Sequence, residues 1–460
     1  MTPLGITEVV RARQPGRARS ALVLSTGLSI LLVASLLGPA GWAADSHRPS
    51  SAGILTPSSG PGETAVRSQA GADLAQAAAS SGTEGAVPTI LVTLPVGSQP
   101  YGITYDARSG LAYVVDSGSN DVTVIHGITV VAVLAVGSEP FQAVYDPGNG
   151  DVYVANYGDG TVSVISGTAV IATVPVGSYP LNLAYDGVDG YVYVLNQASA
   201  SVSVIHGTSV VGTVPVGAGP IAAAYDPENG DLYVTTSVGK VVLVQGTGVV
   251  ASVTVGRDPQ AVLYADGTQE IYVANTESNT VSVIRNASVV TTVRVGTYPI
   301  ALAYESADGY VYVANYYSAN LSVLRGTAVT AAVPVGAFPL ALAFDPESGS
   351  LLVGNSQSGN VSVVRNTTEV GSVAVGAQPT AIAYDPQYGY FLVVDFGSDT
   401  VTVLASSPGS ALPFWAYVSV VVLAFAATVA ILVGVELRRP GTSIVRPSTP
   451  RSLPRPPPPK

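Results

Sequence analysis

The sequence predicts an all-β fold: a β-propeller of eight four-stranded blades closed by an N-terminal strand, plus one C-terminal transmembrane helix. Three observations carry this. The motif Val-Gly-x-x-Pro recurs eight times, with its glycine at Gly97, Gly137, Gly177, Gly217, Gly256, Gly296, Gly336 and Gly376. The spacing is 40 residues except for one interval of 39, between Gly217 and Gly256. Periods of this length mark repeats that cannot bury their own apolar surface and need neighbours. The composition agrees: valine runs, 49 glycines and only 11% charged residues suit strands buried on both sheet faces. The third observation is that the last repeat stops one strand short, while an orphan strand precedes the first.

From the N-terminus, Arg11, Arg13, Arg17 and Arg19 precede an apolar run from Ala21 to Leu37, and small residues follow at Gly41, Ala43 and Ala44. This order reads as a secretory signal over residues 1–43, with cleavage after Ala43, and an uncleaved anchor as the alternative. Residues 44–87 are rich in Ser, Ala and Gly without apolar periodicity, so they read as a disordered leader.

The propeller is expected over residues 88–405. In one repeat, Pro140 opens Phe141-Gln142-Ala143-Val144-Tyr145, and Asp146-Pro147-Gly148-Asn149-Gly150 turns the chain. In such a turn the Asp side chain bonds backbone, Pro sets φ and Gly permits a positive φ. Asp151 to Asn156, Val162 to Ile165 and Ala169 to Val176 supply three further strands, separated by a loop and a tight turn. Four short strands in this length make one propeller blade. The eighth unit ends at Val401-Thr402-Val403-Leu404, without a fourth strand. Ile90-Leu91-Val92-Thr93-Leu94-Pro95-Val96 has the fourth-strand pattern and is expected to pair there, closing the ring.

A linker, 406–411, leads to the uncharged run 412–435. At about 1.5 Å per residue its helix would span roughly 36 Å, enough for a hydrocarbon core of about 30 Å. Trp415 and Tyr417 suit the headgroup level. Residues 436–460 form a basic, Pro-rich tail, which the positive-inside rule places in the cytoplasm. The expected location is therefore a single-pass cell-membrane protein with its propeller outside.

The repeats Tyr153-Val154-Ala155-Asn156, Tyr272-Val273-Ala274-Asn275 and Tyr312-Val313-Ala314-Asn315 are each followed by x-Ser-Val and then Val-Gly-x-x-Pro. This unit resembles the YVTN-family β-propeller repeat, which occurs in archaeal surface-layer-type and other cell-envelope proteins. The resemblance covers about residues 88–405 and departs at Tyr233-Val234-Thr235-Thr236, Leu352-Val353-Gly354-Asn355 and Leu392-Val393-Val394-Asp395. It implies the propeller fold and a place in the cell envelope, and it constrains activity weakly.

Charge narrows the partners. The chain's net charge is −11; between Pro88 and Ser406 there are 24 Asp and Glu against 7 Lys and Arg. That balance argues against nucleic acid, whose phosphates reward basic residues. The chain has no cysteine, which excludes disulfides and thiolate metal sites.

Strand order brings the Gly-x-x-Pro segments and the loops between second and third strands to one face. That face is expected to carry Tyr101, Phe141, Tyr157, Tyr179, Tyr298, Tyr316, Tyr317, Phe338 and Phe396, beside Asp121, Glu139, Asp159, Asp258, Glu277 and Asp399. Rings beside carboxylates suit sugars, whose C–H faces stack while hydroxyls bond to oxygens; rings wedged between blades would account for them equally. Lys240 joins the candidates as the only lysine of the propeller, in a loop of the fourth unit that is one residue short.

No catalytic set is evident. His126 and His206 occupy matching turns of two blades on the opposite face, and both tryptophans lie outside the repeats. No cofactor is expected; the turns at 146–151 and 226–231 resemble oxygen clusters for Ca²⁺, although turn chemistry explains them without a metal. Asn286, Asn320, Asn360 and Asn366 are N-glycosylation acceptors. The expected role is a non-enzymatic binding, adhesion or surface-layer-like module, with an envelope protein or glycan as partner and one helix in the membrane. The alternative is a lactonase- or lyase-like hydrolase with a carboxylate or metal site at the channel mouth.

Overall fold

The computed structural model describes residues 87–406. Its first strand, β1 (Thr89–Pro95), precedes a blade of four antiparallel strands, β2 (Pro100–Asp106), β3 (Leu111–Asp116), β4 (Asp121–His126) and β5 (Thr129–Ala135). Strands β6 to β29 repeat this pattern six times, in sheets over residues 140–175, 180–215, 220–254, 259–294, 299–334 and 339–374. The eighth sheet contains β30 (Pro379–Asp385), β31 (Tyr390–Asp395) and β32 (Thr400–Ala405), and β1 completes it by pairing antiparallel with β32. The first strand of each blade touches the first strands of both neighbours, and β2 meets β30, so the ring is closed. Eight blades and the strand exchange are as the repeat arithmetic predicts.

The transmembrane helix in the predicted fold class requires correction. Among the described residues no helix is long and apolar enough to cross a membrane. The one helical turn in the propeller is Thr276–Ser278, three residues in a loop; at about 2 Å rise per residue it covers a fifth of a bilayer core. The described structure is all-β, and the run 412–435 lies outside it. So do the signal segment 1–43, the leader up to residue 86, the linker after Ser406 and the tail 436–460.

The repeat motif now has physical meanings. The glycine of seven of the eight Val-Gly pairs sits over a fully buried side chain that ends the blade's second strand; Gly217, in blade four, has nothing within 4 Å of where its Cβ would be. A Cβ on Gly137 would lie 2.6 Å from the Asn156 amide, and one on Gly336 2.6 Å from that of Asn355. That buried Asn spans two strands: Asn156 Nδ2 donates to Thr161 Oγ1 and Ser163 Oγ, both at 2.9 Å. The tyrosine three residues earlier links blades. Tyr113 donates to the Gly167 carbonyl and Tyr153 to that of Gly207, each 2.9 Å away in the next blade's outer turn.

A second tyrosine set holds the opposite edge of the inner strands. Tyr105 donates to Asp385 Oδ1 at 2.6 Å, joining blade one to blade eight. The phenols of Tyr145, Tyr185 and Tyr225 are raised by burial first and then by Asp106, Asp146 and Asp186 of the preceding blade, which they adjoin in the same sense. The core is thus a series of apolar layers between sheets, each crossed by polar staples at both ends. The outer strands are bulged where they pair, as between Val124 and Ile125 in blade one, which twists an exposed edge away from pairing with other chains.

Candidate ligand-binding face

One face carries the Gly-x-x-Pro segments and the loops between second and third strands, and the two interlock within each blade. In blade six, Tyr316 N donates to Tyr298 O at 2.9 Å, Tyr317 N to Thr297 O at 3.2 Å, and Thr297 N to Ser318 Oγ at 2.6 Å. The residue before each proline is held left-handed: φ is 52° at Gln99, 49° at Glu139, 56° at Tyr179, 51° at Asp258, 61° at Tyr298, 58° at Phe338 and 53° at Gln378. Only blade four has a glycine there, Gly219. Bulky residues rarely adopt this conformation. Tyr298 is held in it from the neighbouring blade as well, because its N–H donates to Asn279 Oδ1 at 2.8 Å.

Nine of the ten expected binding residues come together in two aromatic arcs. The first runs from Phe396 to Tyr101 (6.1 Å between ring centroids), on to Phe141 (4.2 Å), Tyr157 (6.2 Å) and Tyr179, which stacks on Tyr157 at 4.6 Å. It crosses blades eight, one, two and three. The second joins Tyr298, Tyr316, Tyr317 and Phe338 over blades six and seven, with Tyr316 stacked on Phe338 at 4.4 Å. Burial pushes the Tyr101 phenol upward, and the Tyr316 phenol adds to the rise. The exposed ends are Tyr179, 48% accessible, and Tyr317, 59%. The rings contact one another from blade to blade.

Lys240 does not join them. It is the exposed first residue of the strand Lys240–Gln245 and has no ion pair among the described residues. The short loop before it matters in another way. Seven blades place a side-chain oxygen in this loop that receives the second N–H of Val-Gly-x, as Ser278 Oγ receives Arg257 N at 2.8 Å. Blade four lacks that residue, and a cleft of about 450 Å³ opens there, lined by Ser237, Val238, Gly239, Arg257, Asp258, Glu277 and Tyr298.

The cation at this cleft is Arg257, which the sequence reading passed over. Aligning the repeats would have found it, since the residue after the motif glycine is Ser, Thr or Ala in the other seven. Its Nε lies 4.0 Å from Glu277 Oε2. Asp258 accepts from Gln260 Nε2 at 2.7 Å, and burial, then Glu277, holds its carboxyl above the ordinary range.

The remaining candidates lie apart. His126 packs edge-on against Tyr388 and His206 against Tyr191, each with centroids 5.8 Å apart, on the opposite face. The acidic turns are occupied by their own backbone: Asp146 Oδ1 accepts from Gly148 N at 2.8 Å, and Asn149 Oδ1 from Asp151 N at 2.8 Å. Among the described residues no three His, Cys, Asp or Glu side chains are grouped to hold a metal ion. Asn286 and Asn366 are exposed at turns. Asn320 and Asn360 are half-buried, and their Oδ1 atoms accept from Asn315 and Asn355 at 2.9 Å.

No protein-family model and no curated protein matches this chain. Solved structures do. The C-terminal WD40 domain of Sif2 is 10% identical, with a TM-score of 0.59, over 70% of this chain and 99% of that one. A streptogramin B lyase is 11% identical, with a TM-score of 0.50, over 70% and 99%. A catalytically inactive virginiamycin B lyase from Staphylococcus aureus, solved with quinupristin, is 12% identical, with a TM-score of 0.50, over 69% and 98%. At these identities the likeness is one of fold. The chain is an eight-bladed β-propeller, similar in architecture to both enzymes and non-catalytic domains.

Proposed function

We propose that the propeller is a non-enzymatic recognition module that binds a cell-envelope glycan on its aromatic face. The observation that carries this is backbone strain kept for the sake of side chains. At seven of eight pre-proline positions a non-glycine residue stands left-handed, and at three of them it is Tyr or Phe. Such conformations cost on the order of 1–3 kcal/mol each, persist where the surrounding structure enforces them, and cluster at ligand-binding sites. Tyrosine and phenylalanine faces accept the C–H faces of sugars, and the carboxylates between them accept hydroxyl protons. The signal-type N-terminus and the resemblance to YVTN-type envelope repeats support a site of action outside the cytoplasm.

The test is a screen of the full chain against a glycan array, followed by titration of the hits. Saturable binding that falls at least ~10-fold in Tyr316→Ala and Tyr317→Ala, with unchanged melting, is the expected result. Absence of any retained glycan, or binding indifferent to both substitutions, overturns the reading.

A further inference from the structure

We propose that the cleft over blades four to six receives the protonated amine of an amino sugar, with Asp258 and Glu277 taking the ammonium and Tyr298 the sugar's C–H face. This rests on the glycan reading and adds the chemistry of one subsite.

The cleft exists because one residue is missing. The loop Ser237–Gly239 has three residues where its counterparts have four, and the space is about 450 Å³, within the range of small-ligand sites. Tyr298 forms one wall and connects the cleft to the second aromatic arc through Tyr317, 4.7 Å away between ring centroids. A sugar seated against Tyr298 therefore continues onto the rings already assigned to binding.

The walls hold more acceptors than donors. Two carboxylates face one guanidinium, and the guanidinium is turned outward: the Arg257 side chain is 78% exposed, near Glu277 but paired with no second acid. Asp258 has no cationic partner among the described residues. Behind it Gln260 is 3% exposed; its amide N–H is spent on Asp258, and its Oε1 accepts nothing from the described residues. Asp258 is half-buried and Glu277, its side chain 59% exposed, stands beside it; neighbouring carboxylates of like charge are relieved by a cation placed between them. Three grouped acids for a metal ion are absent among the described residues, so an organic ammonium fits the inventory better. An acidic sugar would meet two carboxylates for one arginine.

The test compares three β-linked tetramers by titration of the full chain at about pH 6: glucosamine, N-acetylglucosamine and glucose. The glucosamine tetramer is expected to bind ~10-fold or more tightly than the other two. Asp258→Asn and Glu277→Gln should each erase most of that preference, weakening the glucosamine tetramer more than the neutral ones. Arg257→Gln should tighten amine binding, an effect that a merely structural role for Arg257 would not produce. Equal binding of all three tetramers overturns this inference and leaves the glycan reading standing. No binding of any tetramer, with an otherwise empty array, overturns both. A weakened amine complex in Arg257→Gln, or a strengthened one in Asp258→Asn, also overturns it, because those signs belong to an anionic ligand.

Discussion

At the scale of single residues, the motif glycines and the buried side chains beneath them form one device. A Cβ at Gly336 would meet Asn355, whereas one at Gly248 has only the Gln245 carbonyl, 3.9 Å away. Gly336→Ala is therefore expected to cost about 1–3 kcal/mol by overpacking, and Gly248→Ala little, as measured by chemical denaturation. In blades one and eight the buried Asn is replaced by Asp116 and Asp395, both 0% exposed. Burial, offset in part by the Thr123 hydroxyl, pushes Asp116 up to about 7; burial pushes Asp395 up to about 6, against the hydroxyl of Thr402. A carboxyl with a raised folded-state pKa keeps its proton where the unfolded chain has lost it. Stability should thus fall as pH rises from about 4 to about 7, and level off above. Asp116→Asn restores the hydrogen bonding seen at Asn156 without the charge. It is expected to gain on the order of 1–3 kcal/mol at pH 8 and nothing at pH 3.5, read from melts across pH. A pH-independent effect would refute the assignment of the proton.

At the scale of elements, blades are joined by polar staples through apolar layers. Tyr153→Phe removes a bond to the half-buried Gly207 carbonyl and one accepted from Asn149 Nδ2, at a cost of about 1 kcal/mol. The same tyrosine position is Leu352 in blade seven. It faces blade eight, where the chain leaves at Ser406 instead of turning into a hairpin, so the departure from Tyr-Val-x-Asn falls at the seam. The seam depends on one strand. Deleting residues 89–95 should lower the melting temperature and, by baring the edge of β32, make the protein associate as concentration rises. Light scattering across a dilution series checks this; a monomeric, equally stable truncation would contradict closure by β1.

At the scale of the whole molecule, eight near-equivalent blades create a ring, and the proposed binding face is where they depart from equivalence. Aromatic residues populate blades eight, one, two and three, and then six and seven. Blades four and five instead carry the short loop and the charged cleft. Inserting Ser between Val238 and Gly239 should return blade four to the common pattern. The expected outcome is filled space and lost preference for amine-bearing sugars, with stability unchanged or higher. Retained preference in a well-folded insertion variant would place that subsite elsewhere on the face.

The eight Val-Gly-x-x-Pro glycines, the alternating strands and the unpaired β1 pattern determine blade number and closure without tertiary information, because each is a local or periodic constraint. The aromatic candidates were readable for the same reason: strand order alone brings two sets of loops to one face. The sequence was silent on the left-handed backbone at Tyr179, Tyr298 and Phe338, since pre-proline residues ordinarily stay extended and only the interlocked loops enforce the alternative. Lys240, a rare residue type that the sequence singled out, stands exposed at the start of its strand and outside the cleft lining, whereas the volume beside it comes from a shortened loop. Arg257, Asp258, Glu277 and Tyr298 come from three segments of two blades. Only the packing of consecutive blades sets them around one space, because a cavity is a property of what surrounds it and not of any residue that lines it.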